Sequence, residues 1–144
     1  MSKPIFVING PNLNLLGTRE PDVYGSETLD DIQALCTEAA HALEHEIIFV
    51  QSNIEGELVD FIQQAGREGA GIVINPAAYT HTSVAIHDAL KAVDVPSVEI
   101  HLSQPAKRES FRRRSYASEA VHGTISGFGA DSYVLGLQAL SNLL

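Results

Sequence analysis

Short apolar runs alternate with segments of helical periodicity along the whole chain, and this alternation restricts the possible folds more than any other feature. The runs at residues 5–8, 47–50 and 71–75 have the length and continuous apolar character of strands buried in a sheet. Two further segments, at residues 97–102 and 123–126, are predicted as the fourth and fifth strands. The intervening segments place apolar residues three and four positions apart, as helices do. They predict helices at residues 29–43, 57–64, 80–93 and 131–143, and a short helical turn at residues 109–114.

Strands that alternate with helices predict an α/β domain with a parallel sheet. Five such units in a chain of 144 residues suit the flavodoxin-like doubly wound arrangement, a five-stranded parallel sheet with helices on both faces. The length is that of one ordinary domain. We therefore expect a single catalytic domain over residues 1–144, with a lid at about residues 18–25.

The composition is that of a soluble globular protein, with 44% apolar and 19% charged residues. Every apolar run is shorter than the roughly eighteen residues that a membrane-spanning helix needs. The first ten residues lack the long apolar core of a secretory signal. Cys36 is the only cysteine in the sequence, and its place on an apolar helix face predicts a small buried side chain, not a nucleophile. We expect a cytoplasmic protein without disulfides or a membrane partner.

The charge distribution is uneven. A net charge of −9 argues against nucleic acid as a partner. Five of the nine Lys and Arg residues nevertheless lie within residues 107–114. On an acidic protein, this cluster predicts a place where an anionic small molecule is held. Arg113 and Arg114 can equally belong to a solvated face.

Residues 9–25 form a long connection without helical or strand periodicity, and turn-forming residues are frequent in it. A compact domain rarely keeps such a connection unless it is a lid or a binding loop. Asn12 supplies an amide, Arg19 a fixed charge and Tyr24 a weakly acidic hydroxyl. Tyr24 is only a lid aromatic unless Arg19, with or without Arg108, comes close enough to favour the phenolate.

Ligands of doubly wound sheets bind beyond the carboxyl ends of the strands. The polar residues that follow the predicted strands are therefore expected to meet in one cleft. These residues lie at positions 9–12, 52–53, 75, 101–103 and 127–129.

Two histidines have a plausible chemical role at this edge. Glu99 and His101 are two residues apart on a strand, so their side chains point to the same face. An oriented His–Glu pair suits a general acid, although a histidine at a strand end can also be purely structural. His81 near the start of the third helix is either a ligand contact or a solvated residue beside the hydroxyl groups that cap the helix.

Five separated motifs in the same order resemble the type II 3-dehydroquinate dehydratases. They read NGPNLNLLGTREPDVYG from residue 9, NPAAYTHTS from residue 75, VEIHLS from residue 98, RESFRRRSY from residue 108 and ISGFGADSY from residue 125. The resemblance runs nearly end to end. It implies the flavodoxin-like fold and the dehydration of 3-dehydroquinate to 3-dehydroshikimate through an enolate, a step of the shikimate pathway.

The resemblance also implies the catalytic roles. Tyr24 would be the base that removes the proton from the carbon beside the ketone, and Arg19 would assist it. Asn12 would hold a water where enolate charge develops. His101 would donate a proton to the leaving hydroxyl, with Glu99 beside it. The ketone already acidifies the proton, so no metal or organic cofactor is expected.

By the same resemblance, one set of residues contacts the substrate: Asn75, His81, Leu102, Ser103 and Arg112. Arg112 would meet the carboxylate, because a guanidinium group fits it bidentately. Asp88 would reach the site of a neighbouring subunit in a homododecamer of trimers. The chain departs from the family pattern at His87, beside Asp88, and at Gln104, and both departures concern the detail of the subunit contact.

Two other function classes remain open at this point. A nucleotide- or flavin-binding module would use the glycines of residues 127–129, although they lack the spacing of the full glycine fingerprint. A receiver-like interaction domain would need an acidic cluster after the first strand, where this chain has Asn9, Gly10 and Pro11.

Overall fold

The computed structural model describes residues 2–18, 22 and 26–144. Within these residues, five parallel strands form one sheet in the order β2-β1-β3-β4-β5. The strands are β1 (Ile5–Asn9), β2 (Ile47–Gln51), β3 (Gly71–Asn75), β4 (Ser97–His101) and β5 (Gly123–Ser126). The α-helices are α1 (Leu29–Ala42), α2 (Glu55–Glu68), α3 (Val84–Ala92) and α4 (Asp131–Ser141). Short 3-10 helices occupy Leu13–Leu15, Ala77–His81, Pro105–Lys107 and Ser110–Arg113. The predicted fold class is confirmed.

Alternate residues of the central strands supply a separate core to each face of the sheet. Ile5 and Val7 of β1 pack on the side covered by α1 and α4. Phe6 and Ile8 pack on the other side, with α2 and α3. Every residue of β1, β3 and β4 is buried. Burial on both faces explains why β1 and β3 read as continuous apolar runs and not as alternating ones.

Local sequence signals set the helix starts. The Thr28 side chain accepts a hydrogen bond from the Asp31 backbone N–H at 3.1 Å, and the Asp31 carboxylate accepts one from the Thr28 N–H at 3.0 Å. This capping box begins α1. The Ser83 hydroxyl accepts from the Ile86 N–H at 2.9 Å and begins α3.

Two details of the sequence prediction are wrong. Residues 47–50 form a strand, but β2 is the outer strand of the sheet and is only half-buried, with Ile48 36% exposed. The predicted helix at residues 80–93 is divided into the 3-10 helix Ala77–His81 and α3, because the Ser83 cap begins a new helix. Val84, an apolar residue of the predicted helix, is 53% exposed. The buried stripe of α3 is Ile86, Ala89 and Leu90, and Val84 lies roughly 200° around the helix from Ile86.

The ends of β1 and β3 approach each other closely, and this contact shapes the edge where the site lies. The Gly10 N–H donates to the Asn75 carbonyl at 2.8 Å. A Cβ at Gly10 would lie 2.4 Å from the Pro76 carbonyl oxygen, so this position has room for glycine alone. Asn12 and Ala77, which follow the two strands, both have positive φ values, 67° and 53°. Strained backbone of this kind is common at ligand sites.

None of the helices formed by the described residues is both long enough and apolar enough to cross a membrane.

Candidate active site

A cleft opens at the carboxyl edge of the sheet, above β1, β3 and β4. It holds about 670 Å³ of space, part of it open to solvent. Polar and basic side chains from separate elements line it: Asn12, Asn75, His81, His101, Ser103, Arg108 and Arg112. The predicted convergence of strand-end residues on one cleft is therefore observed for β1, β3 and β4.

Residues 127–129 were also expected in this cleft and are not among its lining residues. The backbone of this glycine-containing loop pairs with the end of β4 instead. The Gly127 N–H donates to the His101 carbonyl at 3.3 Å, and the Gly129 N–H donates to the Leu102 carbonyl at 2.9 Å. These backbone bonds occupy the loop amides that a nucleotide phosphate would need, so the loop supports the site without lining it.

Residues 52–53 were also expected in the cleft and do not line it, but Asn53 supports the loop that follows β1. The Asn53 side-chain oxygen accepts a hydrogen bond from the Asn12 backbone N–H at 3.0 Å. The Gln51 amide donates to the Gly10 carbonyl at 3.1 Å. The loop after β1 is therefore held from the outer strand, in the conformation that presents Asn12 to the cleft.

Glu99 and His101 form a buried pair. The His101 Nε2 lies 2.5 Å from the Glu99 Oε2, and Glu99 is completely buried. Burial opposes ionisation of Glu99, but hydrogen bonds from His101 and Thr80 outweigh it, so the pKa of this carboxyl lies below its ordinary value. Glu99 is thus a carboxylate that accepts from Nε2–H. Nδ1 is the ring nitrogen left for a ligand in the cleft.

The Asn75 amide is fixed on both sides. Its Nδ2 donates to the Tyr133 hydroxyl at 3.1 Å, and its Oδ1 accepts from the Ala77 N–H at 3.1 Å. Tyr133 in turn donates to the Asn9 Oδ1 at 2.6 Å. Burial raises the pKa of Tyr133 well above its ordinary value, so this phenol is a permanent neutral donor. Asn75 therefore presents a defined donor to the cleft.

His81 is the last residue of the 3-10 helix Ala77–His81, and it lines the cleft. Its Nδ1 lies 2.7 Å from the Arg114 carbonyl oxygen. Burial lowers the pKa of His81, and the nearby His101 and Arg112 lower it further. A neutral His81 donates Nδ1–H to that carbonyl, which leaves Nε2 as the nitrogen available to a ligand.

Two arginines that line the cleft make one side of it positively charged. The Arg108 guanidinium donates to the Ser103 hydroxyl at 3.3 Å. The Arg112 Nε donates to the Glu109 carboxylate at 3.1 Å, and its guanidinium lies 5.0 Å from the centre of the Phe111 ring. This packing restricts the side chain and leaves the terminal nitrogens available for an anion. Arg113 and Arg114 are exposed.

Four of the predicted site residues are not among those that line the cleft. Glu99 is completely buried beside His101. Arg19 and Tyr24, and most of the predicted lid at residues 18–25, lie outside the described residues. Asp88 is exposed on α3 and does not line the cleft. Within the described residues, no three His, Cys, Asp or Glu side chains are grouped so that they could hold a metal ion.

Residues 3–141 match the family model for Dehydroquinase class II. The chain belongs to the class II dehydroquinase family. It is 61% identical over 143 residues to the 3-dehydroquinate dehydratase of Phenylobacterium zucineum, and the match covers 99% of each chain. It is 57% identical to the 3-dehydroquinate dehydratase of Rhizobium meliloti, with 99% of this chain and 97% of the relative covered.

Solved structures agree with this assignment. The type II dehydroquinase from Propionibacterium acnes superposes with a TM-score of 0.94 at 43% identity, covering 99% of this chain and 98% of that one. The type II dehydroquinase from Butyrivibrio crossotus also gives a TM-score of 0.94, at 42% identity, with 96% and 97% covered. The class II dehydroquinase fold is thus shared over almost the full length.

Sequence reasoning missed the residues that support the class II dehydroquinase cleft from behind. Tyr133 and Asn9 fix Asn75, and Thr80 contacts Glu99 with its hydroxyl at 2.6 Å. One signal was available. A tyrosine on the apolar face of a helix must find a partner for its hydroxyl, and asparagines at the ends of neighbouring strands are natural partners.

Proposed function

We propose that this class II dehydroquinase catalyses the loss of water from 3-dehydroquinate to give 3-dehydroshikimate, a step of the shikimate pathway. Relatives that are 57–61% identical over almost the whole chain carry the name of this activity. The observation that carries the proposal is the buried Glu99–His101 pair in a cleft with the Arg108 and Arg112 guanidinium groups. This combination suits an anionic substrate that requires a positioned acid.

The reaction divides into two proton transfers. The Tyr24 phenolate removes a proton from the carbon beside the ketone, and the electron pair of the broken C–H bond forms an enolate. When the enolate returns to the ketone, a carbon–carbon double bond forms and the C–O bond to the hydroxyl breaks. His101, protonated on both ring nitrogens, gives the leaving hydroxyl its Nδ1 proton and keeps its Nε2–H on Glu99, so water departs and a neutral imidazole remains. Asn12 holds a water at the enolate oxygen, where a fixed dipole stabilises developing charge.

The remaining cleft residues hold the substrate. Arg112 binds the carboxylate, because its fork matches two oxygens. Asn75 keeps one Nδ2 proton and neutral His81 keeps Nε2 after their protein contacts, so Asn75 donates to and His81 accepts from substrate hydroxyls. Leu102 and Ser103 lie next to them at the end of β4. No resident metal or organic cofactor enters this scheme.

The higher-order features rest on the family resemblance. We propose a single cytoplasmic domain over residues 1–144, with a lid at about residues 18–25 that closes over the substrate. We further propose a homododecamer of trimers in which Asp88 serves the site of a neighbouring subunit. The exposed position of Asp88 on α3 suits that role. Light scattering on wild type and on Asp88→Ala tests it, and a fully active monomer would refute it.

Formation of the ultraviolet-absorbing conjugated enone from 3-dehydroquinate tests the reaction itself. Tyr24→Phe tests the base. A free tyrosine is only about one-thousandth phenolate at pH 7, so a tyrosine base needs a cation close by, and Arg19 is the candidate. We expect Tyr24→Phe to bind substrate with almost no turnover, and Arg19→Ala to move the acid limb of the pH–rate profile upward. If Tyr24→Phe keeps more than about a tenth of the activity, another residue is the base.

Arg112→Ala tests the carboxylate contact. We expect kcat/KM to fall about thirty- to a thousandfold, which corresponds to roughly 2–4 kcal/mol for a charge-assisted bidentate contact. Arg113→Ala is the matched control, because Arg113 is the exposed neighbour in the same 3-10 helix. Equal losses in both variants would mean that the cluster acts only as a diffuse positive field.

A further inference from the structure

A chain of hydroxyl groups leads from the half-buried Ser115 through the buried Thr80 to the carboxylate that holds His101. The Thr80 Oγ1 lies 2.6 Å from the Glu99 Oε2 and 2.6 Å from the Ser115 Oγ. The Ser115 Oγ accepts in turn from the Ser118 backbone N–H at 3.0 Å. Thr80 is 1% exposed and Glu99 is completely buried. None of these hydroxyl residues belongs to the acid, the base or the substrate contacts.

The direction of each hydrogen bond follows from counting protons. An ionised carboxylate has no proton to donate, so the single Thr80 hydroxyl proton points to the Glu99 Oε2. Thr80 then has only lone pairs to offer Ser115, so the Ser115 hydroxyl is the donor in their contact, and Ser115 Oγ also lies 3.5 Å from the Glu99 Oε2. At the other end of this series of hydrogen bonds, the Ser118 N–H donates to the Ser115 Oγ. Every donor in this chain therefore points toward the same oxygen of Glu99.

His101 shares that oxygen. Its Nε2 lies 2.5 Å from the Glu99 Oε2, the same oxygen that accepts from the Thr80 hydroxyl. Because Oε2 accepts from both groups, its position is fixed and the proton of neutral His101 is held on Nε2. We propose that Thr80, supported by Ser115, is a positioning residue that holds the Glu99 carboxylate where it fixes the ring and the tautomer of His101. This inference rests on the proposed function of His101 as the acid.

The backbone around Thr80 is anchored to the same segment of the chain. The Tyr116 N–H donates to the Thr80 carbonyl at 2.8 Å, and the Arg114 carbonyl accepts from His81 at 2.7 Å. One short segment after the arginine cluster thus holds the hydroxyl chain on one side and His81 on the other. The acid is positioned by residues that approach it from behind the cleft.

Thr80→Val replaces the hydroxyl with a methyl group of nearly equal size and tests this role. Thr124→Val is the matched control, because Thr124 makes a weaker contact of 3.4 Å to the other oxygen of Glu99. We expect Thr80→Val to lower kcat about ten- to a hundredfold, as expected for the loss of a hydrogen bond to a charged group, with KM within about threefold. Thr80→Ser should restore activity to within about threefold of wild type, and Thr124→Val should stay in that range.

A second readout separates positioning of the acid from general loosening of the fold. In D2O, abstraction of the proton beside the ketone appears as deuterium in the remaining substrate, whereas dehydration appears as enone. If Thr80 acts through His101, Thr80→Val slows dehydration more than exchange, and the ratio of exchange to dehydration rises at least about fivefold. A parallel fall of both rates, or results equal to those of Thr124→Val, would overturn the proposal.

Nitrogen-15 spectra of the His101 ring test the tautomer without substrate. We expect neutral His101 in wild type to carry its proton on Nε2. In Thr80→Val, we expect a mixture of the Nε2–H and Nδ1–H tautomers. A proton on Nδ1 in the neutral wild type would overturn the proposal even if the enzyme is active. Inactivity of the wild type toward 3-dehydroquinate would refute the proposed function, and the tautomer of His101 would then decide this inference.

If Thr80→Val does not fold, Ser115→Ala is tested in its place. We expect its effects in the same direction, with kcat lowered about two- to tenfold. Wild-type kinetics and exchange in a folded Ser115→Ala would then overturn the proposal.

Discussion

Tyr133→Phe removes one oxygen atom from a deeply buried polar network behind the cleft. The Tyr133 hydroxyl joins the Asn9 Oδ1 at 2.6 Å to the Asn75 Nδ2 at 3.1 Å. Tyr133 and Asn9 are completely buried, and Asn75 is 3% exposed. Water therefore has little access to replace the lost hydroxyl. The substitution keeps the aromatic ring, so the apolar packing of α4 on the sheet is largely retained.

The cost follows from the groups left without partners. Asn9 loses the donor to its Oδ1, and Asn75 loses the acceptor of one Nδ2 proton. A buried polar group without a partner costs about 1–3 kcal/mol. Because the Asn75 Oδ1 keeps its bond to Ala77 and Asn9 keeps its bond to the Val50 carbonyl, both amides stay near their positions and cannot turn to new partners. We expect the free energy of unfolding to fall by about 2–4 kcal/mol.

Urea denaturation of both proteins at equal concentration measures this difference, since self-association contributes to apparent stability. Tyr116→Phe is the matched control. The ring of Tyr116 lies 4.5 Å from the Arg114 guanidinium, and Phe retains this ring contact, so the change should stay within about 0.5 kcal/mol. Because Tyr133 fixes Asn75, we also expect a higher KM in Tyr133→Phe. An unfolding free energy within 0.5 kcal/mol of wild type would refute the reasoning that these amides depend on the phenol.

Further predictions concern the core and the buried ionisable groups. Gly136→Ala should lower the free energy of unfolding by about 1–3 kcal/mol, because the new Cβ would lie 2.7 Å from the Ile100 Cγ2; Gly56→Ala, with open space around it, should be neutral or stabilising, and equal effects in urea titrations would contradict this. Burial raises the pKa of Cys36 to about 12, so an aromatic disulfide reagent at pH 8 should label it only in urea, and rapid labelling of the folded protein would show that the thiol is accessible. The pKa of Glu99 is lowered in the fold, so its contribution to stability is present above the unfolded value near 4.5 and is lost as the pH falls through the folded value. The urea midpoint of wild type should therefore decrease as the pH falls from about 6 to about 3, and this decrease should be smaller in Glu99→Gln. If the midpoints of both proteins depend on pH equally, Glu99 is not the group that causes the decrease.

Much of the fold followed from local patterns in the sequence. The segments Gly71–Asn75 and Gly123–Ser126 are strands with the predicted bounds. Thr28 caps α1 with its hydroxyl, a side chain that favours this position. Such signals are readable because strand and helix periods, and the residues that end them, depend on neighbours within a few positions. The shared face of Glu99 and His101 follows from the same strand period, and the structure shows the pair in contact.

The strand order, in contrast, was decided by the tertiary structure. The apolar run of β2 reads like those of β1 and β3, yet β2 lies at the edge of the sheet and is half-buried. Periodicity does not show how many neighbours a strand has. Likewise, the helix phase that exposes Val84 was set by the packing of Ile86 and its neighbours against α2, not by the apolar character of the residue.

The residues behind the cleft show the same division most clearly. The sequence by itself determined which side chains can donate or accept, and it placed Asn9 and Asn75 at strand ends. Only the tertiary structure brought the Tyr133 hydroxyl to Asn9, 124 positions away in the chain, and the Thr80 hydroxyl to Glu99, 19 positions away. A buried polar group must find a partner within hydrogen-bond distance, and that partner is chosen by the packing of whole helices on the sheet. This requirement acts through space, so no local pattern in the sequence records it.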